Sequence, residues 1–194
     1  MSLEERVYSI LVVSSSEKFN HEISQMLKAS LYSPVSFADS VSAARRLYSQ
    51  KQYDFIIINS PLPDEEGSSL AIDCSESAFS HVLQLIKSDF YDDVCDKVSP
   101  YGVFTLPKPI TKQSMLNALS WMRTAKIRLS KVEKKAASVE DKMQEIRLVN
   151  KAKWLLISKE NMDEAVAHRT IEKAAMDRCV AKRLIAEEII RKYS

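Results

Sequence analysis

Polar side chains follow four short apolar segments of the sequence, at the points where those segments end. They are Ser14 and Ser15, Asn59, Lys87 and Lys108. Lys108 could bind an anion or Asn59, or it could be a solvated lysine beside a proline. No nucleophile–base pair, metal-ligand cluster or glycine-rich phosphate loop accompanies them, so we expect neither an enzyme nor a bound metal or cofactor.

A second set of chemically active side chains is cationic and lies near the C-terminus. It consists of Lys153, Arg169, Lys173, Arg178 and Lys182. Residues 114–194 carry 18 basic and 11 acidic side chains, whereas residues 1–113 carry 10 basic and 15 acidic ones. This asymmetry indicates a polyanionic partner for the C-terminal part, although a long solvated helix rich in lysine would give the same count.

Strands and helices alternate in the prediction for the first 113 residues. The predicted strands are Val7–Val13, Val35–Phe37, Phe55–Ile58, Val82–Ile86 and Val103–Leu106. The predicted helices are Phe19–Leu31, Ser40–Tyr48 and one that begins at Ser68. Such alternation predicts a parallel sheet with helices on its faces. The chain has only 2 glycines, which excludes an all-β fold with many turns.

A long helix is predicted from Thr111 to about residue 150, a stretch without glycine or proline. Its apolar residues recur at alternating spacings of three and four, at Met115, Ala118, Met122, Ala125, Leu129, Val132, Ala136, Val139, Met143 and Ile146. A strict period of 3.5 residues predicts a coiled-coil dimerisation helix. Its first turns would also pack on the sheet, with Leu116 and Leu119 facing it. The alternative is one amphipathic helix folded onto its own chain.

The N-terminal part resembles a response-regulator receiver domain, on the segments Ile10–Val13, Tyr53–Phe55, Leu62-Pro63 with Gly67, and Leu106–Pro109. The resemblance implies a flavodoxin-like five-stranded parallel sheet and, in typical members, magnesium-dependent phosphorylation of an aspartate. Here Ser14 and Ser15 stand in place of the acidic pair, Asn59 in place of the phospho-acceptor and Lys87 near the usual hydroxyl residue, while Lys108 is retained. An amide cannot form an acyl phosphate, so we expect a pseudo-receiver that is not phosphorylated.

Three short helices are predicted after residue 147, covering Leu148–Ser158, a second from the N-cap Asp163 to about Ala175, and Arg178–Lys192. In order and spacing they resemble the ANTAR domain, an RNA-binding module of transcription antitermination regulators. The resemblance rests on the segments 152–156, 161–164, 167–171, 175–178 and 185–190. The resemblance implies that a dimer binds RNA carrying two hairpins. The expected RNA contacts are Lys153, Arg169 and Arg178, which lie in the matched segments, with Lys173 and Lys182 as phosphate contacts. We expect Trp154 to stack on a base or to be partly buried, and His168 to be a packing residue.

Together these patterns predict an α/β receiver in residues 1–113, a coiled-coil helix in 114–147 and an all-α three-helix RNA-binding domain in 148–194. The expected function is phosphorylation-independent transcription antitermination by a homodimer, with antiterminator RNA hairpins as partner and, on the receiver, a regulatory protein or a ligand. The alternative is a scaffold whose helical end binds protein. A DNA-binding regulator is a third possibility, but the sequence between the last helices shows no clear helix-turn-helix pattern.

The compartment follows from three features of the sequence. Its 3 cysteines are widely spaced, its N-terminus lacks the basic and apolar regions of a secretory signal, and no apolar run approaches the length of a membrane span. We therefore expect a cytoplasmic protein without a membrane anchor.

Overall fold

The structure is a computed structural model that describes residues 6–77 and 79–193. The chain divides into two units, the first ending at Ile127 and the second beginning at Arg128. In chain order the elements are β1 (Tyr8–Val13), α1 (Glu17–Met26), β2 (Tyr32–Ala38), α2 (Val41–Gln50), β3 (Phe55–Asn59), α3 (Ser68–Ser75), β4 (His81–Lys87), α4 (Tyr91–Val98), β5 (Phe104–Lys108), α5 (Lys112–Glu160), α6 (Glu164–Asp177) and α7 (Lys182–Tyr193). Residues 1–5, on which the expectation about a secretory signal depends, lie outside the described residues.

The first unit is built on a five-stranded sheet in the order β2-β1-β3-β4-β5. Every neighbouring pair is parallel, which confirms the predicted sheet. Because side chains alternate across a strand, Leu11 and Val13 of β1 pack toward α2 and α3, whereas Ile10 and Val12 pack toward α1 and α5. These four side chains are fully buried, so β1 contributes to a core on each face of the sheet.

The turn that leads into α3 depends on Gly67. Its φ is +89°, in the left-handed region that side chains rarely adopt. A Cβ at this position would also lie 2.8 Å from Cγ2 of Ile58, which is closer than carbon atoms can approach. Glycine is therefore required here on both conformational and steric grounds.

Two helices of the first unit differ from their predictions. Helix α1 ends at Met26 instead of Leu31, because the backbone of Leu27 is extended and β2 begins earlier, at Tyr32. Helix α4 was not predicted, since it spans only two turns and four of its eight residues are charged. The short predicted strand at Val35–Phe37 is the middle of β2, which carries Pro34 at the edge of the sheet, where proline is tolerated.

Helix α5 is continuous across the predicted junction at residues 147 and 148. Its first apolar positions, including Met115, Ala118 and Met122, lie in the core of the first unit, so they are used by the sheet. Leu119 is buried as predicted, but Leu116 is 38% exposed, so the expectation that it faces the sheet is wrong. The later apolar positions are uncovered within the chain, and their exposures are 64% for Val132, 50% for Val139, 46% for Met143 and 59% for Ile146.

The second unit packs three helices around a small apolar core. The last turns of α5 contribute Ala152 and Leu156, α6 contributes Ala167 and Ile171, and α7 contributes Ile185 and other residues. Asp163 caps α6 as predicted, by accepting a hydrogen bond from the Val166 N–H at 2.8 Å. The third helix begins at Lys182, four residues later than predicted, because residues 178–180 form the turn after α6.

Candidate functional site

Two of the predicted strand-end residues are in direct contact. The Asn59 side-chain amide, at the end of β3, donates a hydrogen bond of 2.9 Å to the Ser14 hydroxyl, which follows β1. The same hydroxyl accepts a second hydrogen bond, from the Ser16 backbone N–H at 3.1 Å, and Ser14 is almost fully buried. Ser15 is exposed. A neutral hydrogen-bonded pair therefore occupies the ends of the neighbouring strands β1 and β3.

Lys108 and Lys87 lie at the ends of β5 and β4. The Lys108 ammonium donates a hydrogen bond to the backbone carbonyl of Ser60, directly after Asn59. Burial, together with repulsion from Lys87, lowers the pKa of Lys108. The Lys87 side chain is exposed, and in the described part of the chain it makes no hydrogen bond or ion pair. The structure thus brings Lys108 to the Asn59 end of the sheet and leaves Lys87 in solvent.

A magnesium ion does not fit the predicted strand-end residues. Magnesium prefers anionic oxygen ligands, and Ser14, Ser15 and Asn59 offer only neutral ones, of which the Ser14 oxygen already accepts two hydrogen bonds. Among residues 6–77 and 79–193, no three or more histidine, cysteine, aspartate or glutamate side chains gather as a metal site would require.

A buried ion pair at the opposite edge of the sheet was missed by the sequence analysis. Asp54, directly before β3, lies 3.0 Å from the ammonium of Lys126 on α5, and the two side chains are 9% and 7% exposed. Asp54 also accepts hydrogen bonds of 2.9 Å from the Ser9 N–H and hydroxyl. Burial opposes ionisation, but these donors outweigh it and lower the pKa of Asp54. Lys126 stands four residues after the core residue Met122, and that spacing is the signal that could have revealed it.

The acidic loop after β3 also has a structural role. The Asp64 carboxylate accepts hydrogen bonds from the backbone N–H groups of Val41 at 2.9 Å and of Ser42 at 3.0 Å, at the N-terminus of α2. These hydrogen bonds lower the pKa of Asp64 to about 2. The loop is therefore held in place by the helix that it caps.

Three of the five predicted C-terminal cations form ion pairs within the second unit. Lys153 lies 2.9 Å from Glu164, and its hydrogen bond lowers the pKa of that carboxyl. Arg178 binds both carboxylate oxygens of Glu188, at 2.5 and 2.8 Å. Lys182 pairs with Glu172. These cations therefore link α5, α6 and α7 to one another.

Arg169 and Lys173 differ from the other three predicted cations. Both are exposed on α6, and within the described residues neither has a carboxylate within 4.0 Å. They share one helix face with Val166 and Met176, which are 46% and 77% exposed. This face, defined by Val166, Arg169, Lys173 and Met176, is here named the α6 face, and it offers two free cations to a partner.

Two aromatic side chains of the second unit are more exposed than expected. Trp154 is 66% exposed, so its partly buried placement is wrong and its indole is open to stacking. It lies on the same face of α5 as Lys151 and Arg147, which are exposed as well. His168 is exposed beside Glu172 at 3.3 Å and does not pack in the core. The amphipathic pattern of the sequence predicted helices at Trp154 and His168, but it did not show which face of each helix packs in the core.

No helix among the described residues is long and apolar enough to cross a membrane.

Comparison with known proteins identifies both parts of the chain. Residues 137–190 match the ANTAR domain family. The Transcriptional regulatory protein PdtaR of Mycobacterium tuberculosis is 23% identical over 184 residues, which cover 93% of this chain and 88% of the relative. The ANTAR resemblance is thereby confirmed, and the match begins within α5, before the predicted junction.

Solved structures give the fold of the first part. The signal receiver domain of an HD domain-containing protein from Pseudomonas fluorescens is 23% identical with a TM-score of 0.56, over 69% of this chain and 96% of that one. A response regulator receiver domain protein from Clostridium thermocellum is 19% identical with a TM-score of 0.55, over 65% and 99%. The receiver fold is confirmed, and ANTAR-containing response regulators are non-enzymatic, as expected for this chain. The chain joins a receiver fold to a C-terminal ANTAR domain, which is the domain arrangement of ANTAR-containing response regulators.

Proposed function

We propose that this protein binds RNA and regulates transcription by antitermination. The main support is that the ANTAR match at residues 137–190 lies in a helical unit on which Arg169, Lys173 and Trp154 are exposed. The similarity to a transcriptional regulatory protein over nearly the full chain supports the same function. Such a regulator acts on nascent transcripts, in the cytoplasm.

A protein surface that binds RNA loops has to supply positive charge and aromatic faces on which bases can stack. RNA loops present phosphates and unstacked bases, which bind cations and aromatic faces. Arg169 and Lys173 can contact phosphates without first breaking an ion pair with a carboxylate. On the face of α5 that carries Trp154, the indole can stack on a base while Lys151 and Arg147 contact the neighbouring phosphates. Lys153, Arg178 and Lys182 remain proposed contacts, each of which would exchange a carboxylate for a phosphate.

The proposed functional form is a dimer whose two copies contact one another through the middle of α5. Its exposed apolar residues Val132, Val139, Met143 and Ile146 follow the period of a coiled-coil seam. A second copy of the same helix would cover them, and two ANTAR domains in one dimer match two adjacent RNA hairpins. The proposed boundaries are residues 1–113 for the receiver, 114–147 for the coiled coil and 148–194 for the RNA-binding helices.

The proposed regulation does not use phosphorylation. Asn59 carries an amide where a phosphoryl group would need a carboxylate, and it is engaged by Ser14. Input would then come from a protein or a ligand bound to the receiver, or from the amount of protein in the cell.

Titration of the full-length protein with labelled RNA tests RNA binding. The RNA carries two adjacent hairpins, the salt concentration is varied, and single-hairpin RNA and duplex DNA serve as competitors. We expect preference for two hairpins and a steep salt dependence. The Arg169→Ala/Lys173→Ala double variant should bind more weakly and lower the salt slope by about 0.7 per lost phosphate contact. The Lys18→Ala/Lys28→Ala double variant loses the same charge from the receiver and should bind like the parent.

Trp154→Ala should weaken binding by about 1–3 kcal/mol if the indole stacks on a base. Trp154→Phe should retain part of that affinity, because it keeps an aromatic face. Equal, weak binding of the parent protein to all the nucleic acids would overturn the proposed function.

A protein-binding scaffold is the second candidate, and the exposure of Met176 and Val166 favours it. Large exposed apolar side chains are typical of protein interfaces. Under this reading, the parent protein would bind all the nucleic acids equally weakly, and substitution of Met176 and Val166 by serine would abolish capture of a protein partner.

A further inference from the structure

A pocket of about 230 Å³ opens in the first unit beside the strand-end residues. Helix α1 forms one wall, the end of β3 and the segment after β5 form the floor, and the first turn of α5 closes the side. In open parallel sheets, ligands bind outside the carboxyl ends of the strands, which is where this pocket lies.

The pocket combines an apolar wall with two opposite charges. Ile23, Met26 and Met115 give it an apolar surface. Lys108 and Glu22 also line it, and they come from different elements, the end of β5 and helix α1. A ligand that complements this lining has to carry both an anionic and a cationic group next to an apolar body.

Free hydrogen-bonding capacity remains on the polar side of the pocket. The Lys108 ammonium has three N–H donors, of which one is directed to the Ser60 carbonyl. The Asn59 amide has two N–H donors, of which one is directed to Ser14. Both residues line the pocket, so a carboxylate could accept a hydrogen bond from each without displacing an existing one.

The size of the pocket limits the ligand. Pockets for drug-sized ligands measure roughly 300–1,000 Å³, and a nucleotide needs a site in that range. A volume of about 230 Å³ suits a molecule of amino-acid size.

We propose that this pocket binds a free apolar α-amino acid. Its carboxylate accepts hydrogen bonds from Lys108 and Asn59, its ammonium group pairs with Glu22, and its side chain lies against Ile23, Met26 and Met115. The proposal does not depend on RNA binding, and it supplies the receiver with an input that needs neither magnesium nor a phosphoryl group.

Calorimetric titration of the full-length protein with L-leucine and L-phenylalanine tests the proposal. Two analogues of leucine separate the charges: 4-methylpentanoate lacks the amino group, and 3-methylbutylamine lacks the carboxylate. We expect saturable binding of at least one amino acid and at least tenfold weaker binding of its single-charge analogues. Lys108→Met and Glu22→Gln should each weaken binding of the amino acid at least tenfold. The matched controls are Lys112→Met, at the start of α5, and Glu17→Gln, at the start of α1; both residues lie outside the pocket lining, and both variants should bind like the parent.

The result that overturns the proposal is absence of saturable binding for these amino acids, or equal binding of the amino acid and its deaminated analogue. Unchanged affinity in Glu22→Gln would overturn it as well. Glu22 is exposed on α1, so this variant should fold even if Lys108→Met does not.

Discussion

Single side chains decide what the strand ends of the receiver can do. Ser14 and Asn59 satisfy one another through one hydrogen bond of 2.9 Å, and Ser14 holds the start of the following loop through the Ser16 N–H. The contact between the ends of β1 and β3 is therefore made by neutral groups.

Removal of the Ser14 hydroxyl should destabilise the receiver. Ser14→Ala leaves the Asn59 amide and the Ser16 N–H without their acceptor, which costs about 1–3 kcal/mol for partly buried donors. Denaturant unfolding of Ser14→Ala measures this loss of unfolding free energy, and Ser15→Ala, at an exposed position, is the control. Equal stability of the Ser14 and Ser15 variants would contradict this role of the hydroxyl.

The Asp54–Lys126 pair should be the more sensitive of the two contacts. Asp54→Asn leaves the Lys126 charge buried without its carboxylate, and breaking such a pair costs about 3–5 kcal/mol of unfolding free energy. Adding Lys126→Met removes the stranded charge, so the double variant should recover part of the loss. A double-mutant cycle by denaturant unfolding measures both effects. Additive losses in the cycle would show that the two side chains are not coupled.

Neither pair of contacting residues was identified from the sequence. Ser14 and Asn59 are 45 residues apart, and their approach depends on the β1–β3 pairing. The resemblance to a receiver domain did imply that both lie at one site. The spacing of Lys126 from Met122 indicates the buried face of α5, but it does not show that Lys126 faces the buried Asp54.

Helices and loops depend on one another through caps and apolar faces. Helix α2 is capped by its own Ser40 and also by Asp64 from a distant loop. The apolar stripe of helix α5 has two parts. Its first turns pack on the sheet, whereas its middle part is exposed within the chain.

The Asp64 cap should make stability depend on acid pH. Its pKa is lowered in the folded state to about 2, against about 3.9 in an unfolded chain. Its contribution is therefore fully present above about pH 4 and is lost as the pH falls through about 2. Asp64→Asn should lower the Tm at neutral pH and flatten its fall between these values. Thermal unfolding across pH measures this. The Glu65→Gln control should retain the slope of the parent, and an equally steep slope in Asp64→Asn would exclude the cap as its source.

The exposed stripe of α5 should hold two copies together. Val139→Lys/Met143→Lys places charges on the proposed seam, and we expect a monomer by sedimentation, together with loss of the preference for two hairpins. Ser138→Lys/Gln144→Lys adds the same charge off the seam and should remain a dimer. A monomeric parent protein would refute the coiled coil.

The packing of the first turns of this helix on the sheet was predicted and is confirmed, whereas the coiled coil of its middle part stays a prediction. Met115, Ala118 and Met122 share one spacing with Val139 and Met143, so the spacing alone does not show at which residue the contact with the sheet ends. The ends of α1 and α7 were misplaced because the local turns at Leu27 and at residues 178–180 leave no periodic signal.

At the scale of the whole molecule, the chain combines a receiver fold with a C-terminal ANTAR domain, and the basic charge of the C-terminal part was visible in the composition. The ANTAR and receiver assignments follow from ordered motifs. The division of cations into ion-paired and free ones could not be predicted, because partners such as Lys153 and Glu164 lie on different helices.

Small phosphodonors should leave the protein unchanged. Incubation with acetyl phosphate and magnesium should give no phosphoryl adduct by intact-mass spectrometry, since Asn59 offers no carboxylate. RNA affinity should be the same before and after treatment. A receiver domain with an aspartate at this position serves as the positive control for the reagent, and an adduct on this chain would contradict phosphorylation-independent control.

Gly67 sets a limit on how the sequence can drift over generations. A Cβ there would lie too close to Ile58, and the residue would have to adopt an unfavourable backbone conformation, so we expect substitutions of Gly67 to destabilise the fold. Gly102 shares a positive φ, of +78°, but a Cβ there would meet nothing within 4 Å. Asparagine, which tolerates this conformation, can therefore replace Gly102 in descendants of this chain, whereas position 67 stays fixed.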